Sequence, residues 1–264
     1  VDVIDENLIT DRMLYNVVNT SIGVTITRKI YASSNQYHDN YFIHEYIYKN
    51  TGIYNKNNDR HSQTLEGLIF FYQFRFAPSR EIGLGGLQTL PQSTSWGHNT
   101  MNHIYHPFYD DTLRGFYSYH GLHSDATFDN IGGPNISGDG HLGASQFPGV
   151  VVLHADVSAE NKNDDNNQPL STPFLDSGSS ITRSNNQFDQ TSMLQEYQVM
   201  SSGHPALPHD EAVGDEYPDQ WQPISQSGKS QCLGFGPYEL APNDSIRIVF
   251  AEGVNGINRN LCYQ

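Results

Sequence analysis

The sequence predicts an all-β fold: a single β-sandwich-like domain over residues 1–264, with long irregular loops and one or two short helices. Three observations carry this expectation. Two aromatic stretches, YFIHEYIY at 41–48 and LIFFYQFRF at 68–76, run with a period of two, as strands covered on one or both faces do. The 16 Tyr and 13 Phe sit in a chain that is only 16% charged, so polarity comes from Asn, Gln, Ser, Thr and Gly, whose short groups bond to nearby backbone and compete with helix. Long helical periodicity is nearly absent.

Taken in order, residues 1–20 open with Asp2, Asp5 and Glu6 and show no clear period. Residues 21–30 alternate, with Ile22, Val24 and Ile26 expected inward and Thr25 and Thr27 outward. In the aromatic strand 41–48, Phe42, His44, Tyr46 and Tyr48 share one face. A polar loop at 55–60 separates it from the strand at 67–76, and adjacent antiparallel pairing is the simplest topology for these two. Residues 78–147 read as a loop-rich insertion, because glycines and prolines interrupt every short apolar run. The continuous run GVVVLHA at 149–155 suggests a central strand buried on both faces. A polar loop region follows over 157–234. Within it a helix is expected at 188–201, capped by Asp189 or Thr191, with a core stripe of Met193, Leu194, Tyr197 and Met200. Tyr238–Leu240, a turn at Pro242, and Ser245–Phe250 read as strand, turn and strand.

Charge narrows the partners. Fourteen basic against 29 acidic side chains give a net charge of −15, which would repel a nucleic-acid backbone. No apolar run approaches the ~20 residues of a membrane-spanning helix. The acidity serves solubility or, as the sharper reading, binding of divalent cations. The chain begins at Val1 without an initiator Met, as a processed mature form would. Cys232 and Cys262 flank the last hairpin. As a disulfide they would close a loop of about thirty residues, stabilising by roughly 3–4 kcal/mol; as two independent thiols they would not.

Four groups of residues could carry chemistry. His154 and Asp156 end a strand on the same face, and Asn161, Asn163, Asp164 and Asp165 follow within reach of a folded-back loop. Calcium, a hard cation that takes six to eight oxygens, is the metal to expect there, against a plain solvated turn. His98, His103, His106, His120 and His123 cluster in the glycine-rich region, where His120 and His123 could converge on a transition metal. Trp96, Tyr105, Tyr109, Tyr117 and Tyr119 could form a surface for a glycan or a partner protein, or a second core under the loops. Glu211, Asp215 and Glu216 could act as acid and base, although such carboxylates recur throughout the chain. No nucleophile elbow is present: Asp176-Ser-Gly178 lacks its flanking residues.

Several blocks resemble a group of uncharacterised secreted bacterial proteins, many of which carry a C-terminal sorting or anchoring domain. They are Tyr37–Gly52, Gln63–Phe71, Ser95–Gly97, Leu153–Asp156 with Asn166–Pro169, and Gly236–Glu252. The resemblance implies export and a β-sandwich-like fold, and it assigns no activity to any residue. Together these readings lead us to expect a secreted, non-catalytic structural or cell-surface protein that self-assembles through aromatic loops and strand edges. The alternative is a glycan-binding module or polysaccharide-active enzyme with structural calcium.

Overall fold

The structure, a computed structural model, describes residues 4–76, 100–120, 146–176, 189–216 and 229–258. The fold is all-β: strands make up 50% of it, in two sheets, and helix only 10%. Ten strands are present among the described residues: β1 (Arg12–Asn19), β2 (Val24–Ala32), β3 (Tyr41–Asn50), β4 (Leu65–Phe74), β5 (Thr100–Tyr105), β6 (Gly115–His120), β7 (Gln146–Ala155), β8 (Phe174–Asp176), β9 (Lys229–Leu240) and β10 (Ser245–Gly256). Two helices, α1 (Gln190–Met200) and α2 (His209–Glu216), accompany them. The chain divides into two compact units. The first is Val1–Ile69, Val150–Gln168 and Gly236–Gly253; the second is Phe70–Gly149, Pro169–Phe235 and Val254–Gln264.

In the first unit the strand order is β1-β2-β3-β10-β7. β3 is paired antiparallel on both edges, Tyr46 facing Arg28 of β2 and Ile248 of β10, and Tyr48 facing Ile26 and Ile246. Alternation now has a structural meaning. His44, Tyr46 and Tyr48 stack along one face at 6.4 and 6.0 Å between ring centroids, and Phe250 of β10 stacks on His44 at 5.0 Å and on Tyr46 at 5.7 Å. Val24, Tyr48, Val150, Val152, Ile246 and Ile248 are buried in this unit.

Polar side chains fix the ends and the far face of this sheet. Asn50 is buried, and its side-chain amide donates to the carbonyls of Gln63 and Leu240, each at 2.9 Å. On the opposite face Glu45 accepts from Lys29 Nζ and Tyr31 Oη at 3.0 Å and from Arg247 Nε at 2.6 Å. Burial opposes its charge, but the bonds from Arg247, Lys29 and Tyr31 outweigh that and hold its pKa below the ordinary 4.5.

In the second unit one sheet runs β7-β6-β5 and the other β4-β9-β8. Phe70, Ile104, Phe116, Leu233 and Phe235 are buried, with Phe74 and Phe116 5.5 Å apart and Tyr72 edge-on to Phe235 at 5.7 Å.

Several expectations change. β4 is not the neighbour of β3; it pairs in the sheet with β9 and β8. The insertion at 78–147 holds the antiparallel hairpin β5–β6, and the polar region at 157–234 holds β8, both helices and the start of β9. β7 is half-covered: Val150 and Val152 are buried, whereas Val151 and Leu153 are exposed, because strand-favouring residues also suit an open face. Asp189 caps α1 as expected, accepting from the Thr191 backbone N–H, yet Met193, Leu194 and Tyr197 are exposed. Periodicity tells which residues share a face, not what that face meets. Ile22 is likewise exposed.

Two substitutions test the polar anchors. Asn50→Ala, which strips a donor from two carbonyls, is expected to cost about 1–3 kcal/mol in denaturant unfolding. Glu45→Gln is expected to cost about 1–3 kcal/mol at neutral pH. A depressed pKa means that this contribution is complete above the unfolded value and is lost as pH falls through the folded one. The gap between variant and wild type in urea melts should therefore be full at pH 7 and close below pH 4.5.

Candidate functional site

Among the described residues the most unusual surface is β1. It is the terminal strand of its sheet, paired only with β2 in the described residues, from Arg12 opposite Ala32 to Asn19 opposite Thr25. All eight of its residues are exposed. Leu14 and Val18 on one face are 52% and 48% exposed, and Tyr15 and Val17 on the other are 59% and 47%. A strand of this kind offers a row of backbone donors and acceptors flanked by apolar side chains on both sides, the form that natural edges usually blunt with charge, proline or a bulge. Within β1 the single ionisable side chain of the Lys, Arg, Asp or Glu type is Arg12.

Local chemistry holds the strand at both ends. The Thr20 hydroxyl donates to the Val24 carbonyl at 2.8 Å and accepts its N–H at 3.1 Å, while Gly23, with φ of +86°, closes the turn. At the other end Asp11 accepts the Ser34 backbone N–H at 2.6 Å, a bond that lowers its pKa. The hairpin therefore aims β1 without burying it.

The aromatic residues fall into two groups in the second unit. Tyr105, Tyr117 and Tyr119 come together with His103 and Phe147. His103 lies 4.9 Å from Tyr105 and 5.3 Å from Tyr117; Tyr119 lies 5.8 Å from Tyr117 and 6.4 Å from Phe147. Asp210 of α2 completes this group, its Oδ2 2.7 Å from His103 Nδ1 and 3.5 Å from the Tyr119 hydroxyl. Burial, followed by the charge of Asp210, pushes the Tyr119 pKa up. Below it, the Asn102 backbone N–H donates to His209 Nδ1 at 3.1 Å, so that nitrogen is unprotonated, and the Ser118 hydroxyl donates to Asn102 Oδ1 at 2.7 Å. Tyr109 belongs to a different set, with Phe108 and His204, and its hydroxyl donates to the Pro205 carbonyl at 2.9 Å. The His106 and His204 rings lie 4.4 Å apart in a tilted contact. Trp96, His98, His123 and the His120 side chain lie outside the described residues. Sequence reasoning missed Asp210 and His209, whose partners stand 107 positions away along the chain.

The residues expected to hold calcium are partly brought together. The loop after β7 does fold back: Ala155 donates its backbone N–H to Asp164 Oδ1 at 2.8 Å. His154 Nε2 stands 2.8 Å from Asp156 Oδ1. The other Asp156 oxygen accepts the Arg247 backbone N–H at 2.8 Å and faces the Lys162 ammonium at 3.1 Å. Lys162 also reaches the Ser245 carbonyl. Asn161 and Asp165 accept backbone N–H groups two residues on, from Asn163 and Asn167. The buried carboxylate thus already has the Lys162 ammonium, the His154 ring and a backbone N–H around it, and among the described residues no group of three or more His, Cys, Asp or Glu is arranged to hold a metal ion. Glu211 is exposed on α2, its backbone N–H donating to Asp210 Oδ1 at 3.2 Å; the side chains of Asp215 and Glu216 lie outside the described residues.

Cys232 is a free thiol in this structure, fully buried in β9, and burial pushes its pKa well up, which leaves it inert as a nucleophile. Cys262 lies outside the described residues. No helix among the described residues is long and apolar enough to cross a membrane. In comparisons with known proteins, the chain matches no family model, and no curated protein matches it.

Proposed function

We propose that this chain is a secreted, non-catalytic structural or cell-surface protein that associates with further copies of itself through an exposed strand edge. The observation that carries the reading is β1, an ordered strand with apolar residues exposed on both faces and an unfilled hydrogen-bonding edge among the described residues. Strand addition to such an edge supplies main-chain bonds for affinity and side-chain rows for specificity. The extracellular, bacterial setting rests on the resemblance of the blocks at 37–52, 63–71, 153–156 and 236–252.

Mass photometry and sedimentation of the native chain test this reading. The expected result is a concentration-dependent shift to multiples of the 29.6 kDa chain. Val17→Lys, which places a charge on the edge, should weaken association about tenfold or more while leaving the melting temperature unchanged. A strict monomer at the highest soluble concentration would overturn the proposal.

A second reading, a glycan-binding module, is favoured by the Asp210–His103 pair set among Tyr105, Tyr117 and Tyr119, which joins polar handles to aromatic area. Calorimetric titration with neutral polysaccharides should then give binding that Asp210→Asn weakens about tenfold, through loss of a charged hydrogen bond. Absence of binding by the wild-type chain across such a panel would remove this reading.

A further inference from the structure

The edge of β1 also specifies how two copies would meet, an inference that rests on the self-association proposed above. Hydrogen-bond direction alternates along an antiparallel strand, so each residue aims both its N–H and its C=O to one side. The Thr20 N–H donates to the Val24 carbonyl at 2.9 Å, and the pairing of Asn19 with Thr25 continues that register into β1. Even-numbered residues therefore spend their backbone groups on β2. Met13, Tyr15, Val17 and Asn19 aim theirs at the open edge.

These four positions are symmetric about Asn16. We propose that β1 pairs antiparallel with β1 of a second copy, on a two-fold axis passing beside Asn16. Tyr15 then faces Val17 of the second copy, Met13 faces Asn19, and the four bonded pairs form about eight backbone hydrogen bonds. Centring the axis on Tyr15 or Val17 instead would leave an outward-aimed residue without a strand partner. On the even face, Leu14 meets Val18 of the second copy, an apolar cross-strand pair at the close, non-bonded spacing. Asn16 meets its own copy, where one side-chain amide can donate to the carbonyl of the other. The same patch on both subunits makes the contact isologous and closed.

Charge favours this occupant. The chain carries 29 acidic side chains, yet none lies between Arg12 and Asn19. Two β1 strands can therefore approach without placing carboxylates opposite one another, which like-charge pairing across strands would penalise.

Cysteine cross-linking reads the register directly. At the two-fold, Asn16→Cys places its two thiols on non-bonded partners roughly 4.5 Å apart between Cα atoms, inside disulfide range. Leu14→Cys places its own two copies far beyond that range, but should couple to Val18→Cys when the two variants are mixed. All three positions are exposed, and thermal melts confirm that each variant folds. Under mild oxidation, with the wild-type chain as the blank for Cys232 and Cys262, we expect covalent dimer from Asn16→Cys alone and from the Leu14→Cys plus Val18→Cys mixture. It should not form from Leu14→Cys by itself. If the particles exceed monomer mass but Asn16→Cys gives no more covalent dimer than wild type, or Leu14→Cys dimerises alone as readily, the register is overturned while self-association stands. If wild type is a strict monomer, both fall.

Discussion

The sheet of the first unit depends on a buried amide at the end of β3. Asn50 donates its backbone N–H to the Asp244 carbonyl and accepts from Asn243 at its own carbonyl, at 2.9 and 2.7 Å, while its side chain takes up the carbonyls of Gln63 and Leu240. A buried amide is costly unless its polar atoms are paired; here the nitrogen is used on both carbonyls, whereas Oδ1 is buried without a hydrogen-bond partner among the described residues. Asn50 sets where β3 ends, where the turn between β9 and β10 sits, and where the chain leaves for β4. The same residue stands at the end of the β2 ladder, opposite Val24, and beside the start of β10, whose register on β3 begins with Ser245 opposite Lys49.

Two covered acids are met by basic side chains of the chain itself, of which Lys162 and Arg247 stay exposed. Lys29 and Arg247 converge on Glu45, and Lys162 and His154 on Asp156. Arg247 serves both acids, through its guanidinium on β3's Glu45 and its backbone N–H on Asp156. Interior carboxylates are compensated from within the protein, and the surplus acidity is left for the surface. Sequence spacing brought His154, Asp156 and Asp164 into view as a cation site; it could not show that a lysine from the same loop returns to the carboxylate.

Legibility in the sequence tracked the number of buried faces. The stretch at 41–48 has one face under rings and the other under Glu45 and its partners, so its alternation is plain. β1 has neither face covered, so Leu14 with Val18 and Tyr15 with Val17 erase the contrast between odd and even positions, and the most distinctive surface of the protein carried no period at all. β5 and β6 were hidden for another reason: both are short, and glycine-rich sequence surrounds them. The His103–Asp210 contact depends on a helix far along the chain, and no spacing rule links residues so distant. In α1 the apolar residues recur at helical spacing, yet Met193, Leu194 and Tyr197 are exposed, because spacing does not tell what a face meets.

The openness of β1 has a consequence for how the protein behaves before it finds a partner. Its central residues, Met13 to Val18, are apolar or aromatic apart from Asn16, uncharged and free of proline and glycine, the composition of segments that stack into cross-β fibrils. Closing the edge around a two-fold axis ends growth after one partner. At longer range the surplus of carboxylates does similar work, since approaching copies meet repulsion before they meet a strand. That repulsion fades beyond the Debye length, about 8 Å in physiological salt. Ionic strength, by setting that length, therefore decides how closely two copies approach before the edge becomes reachable.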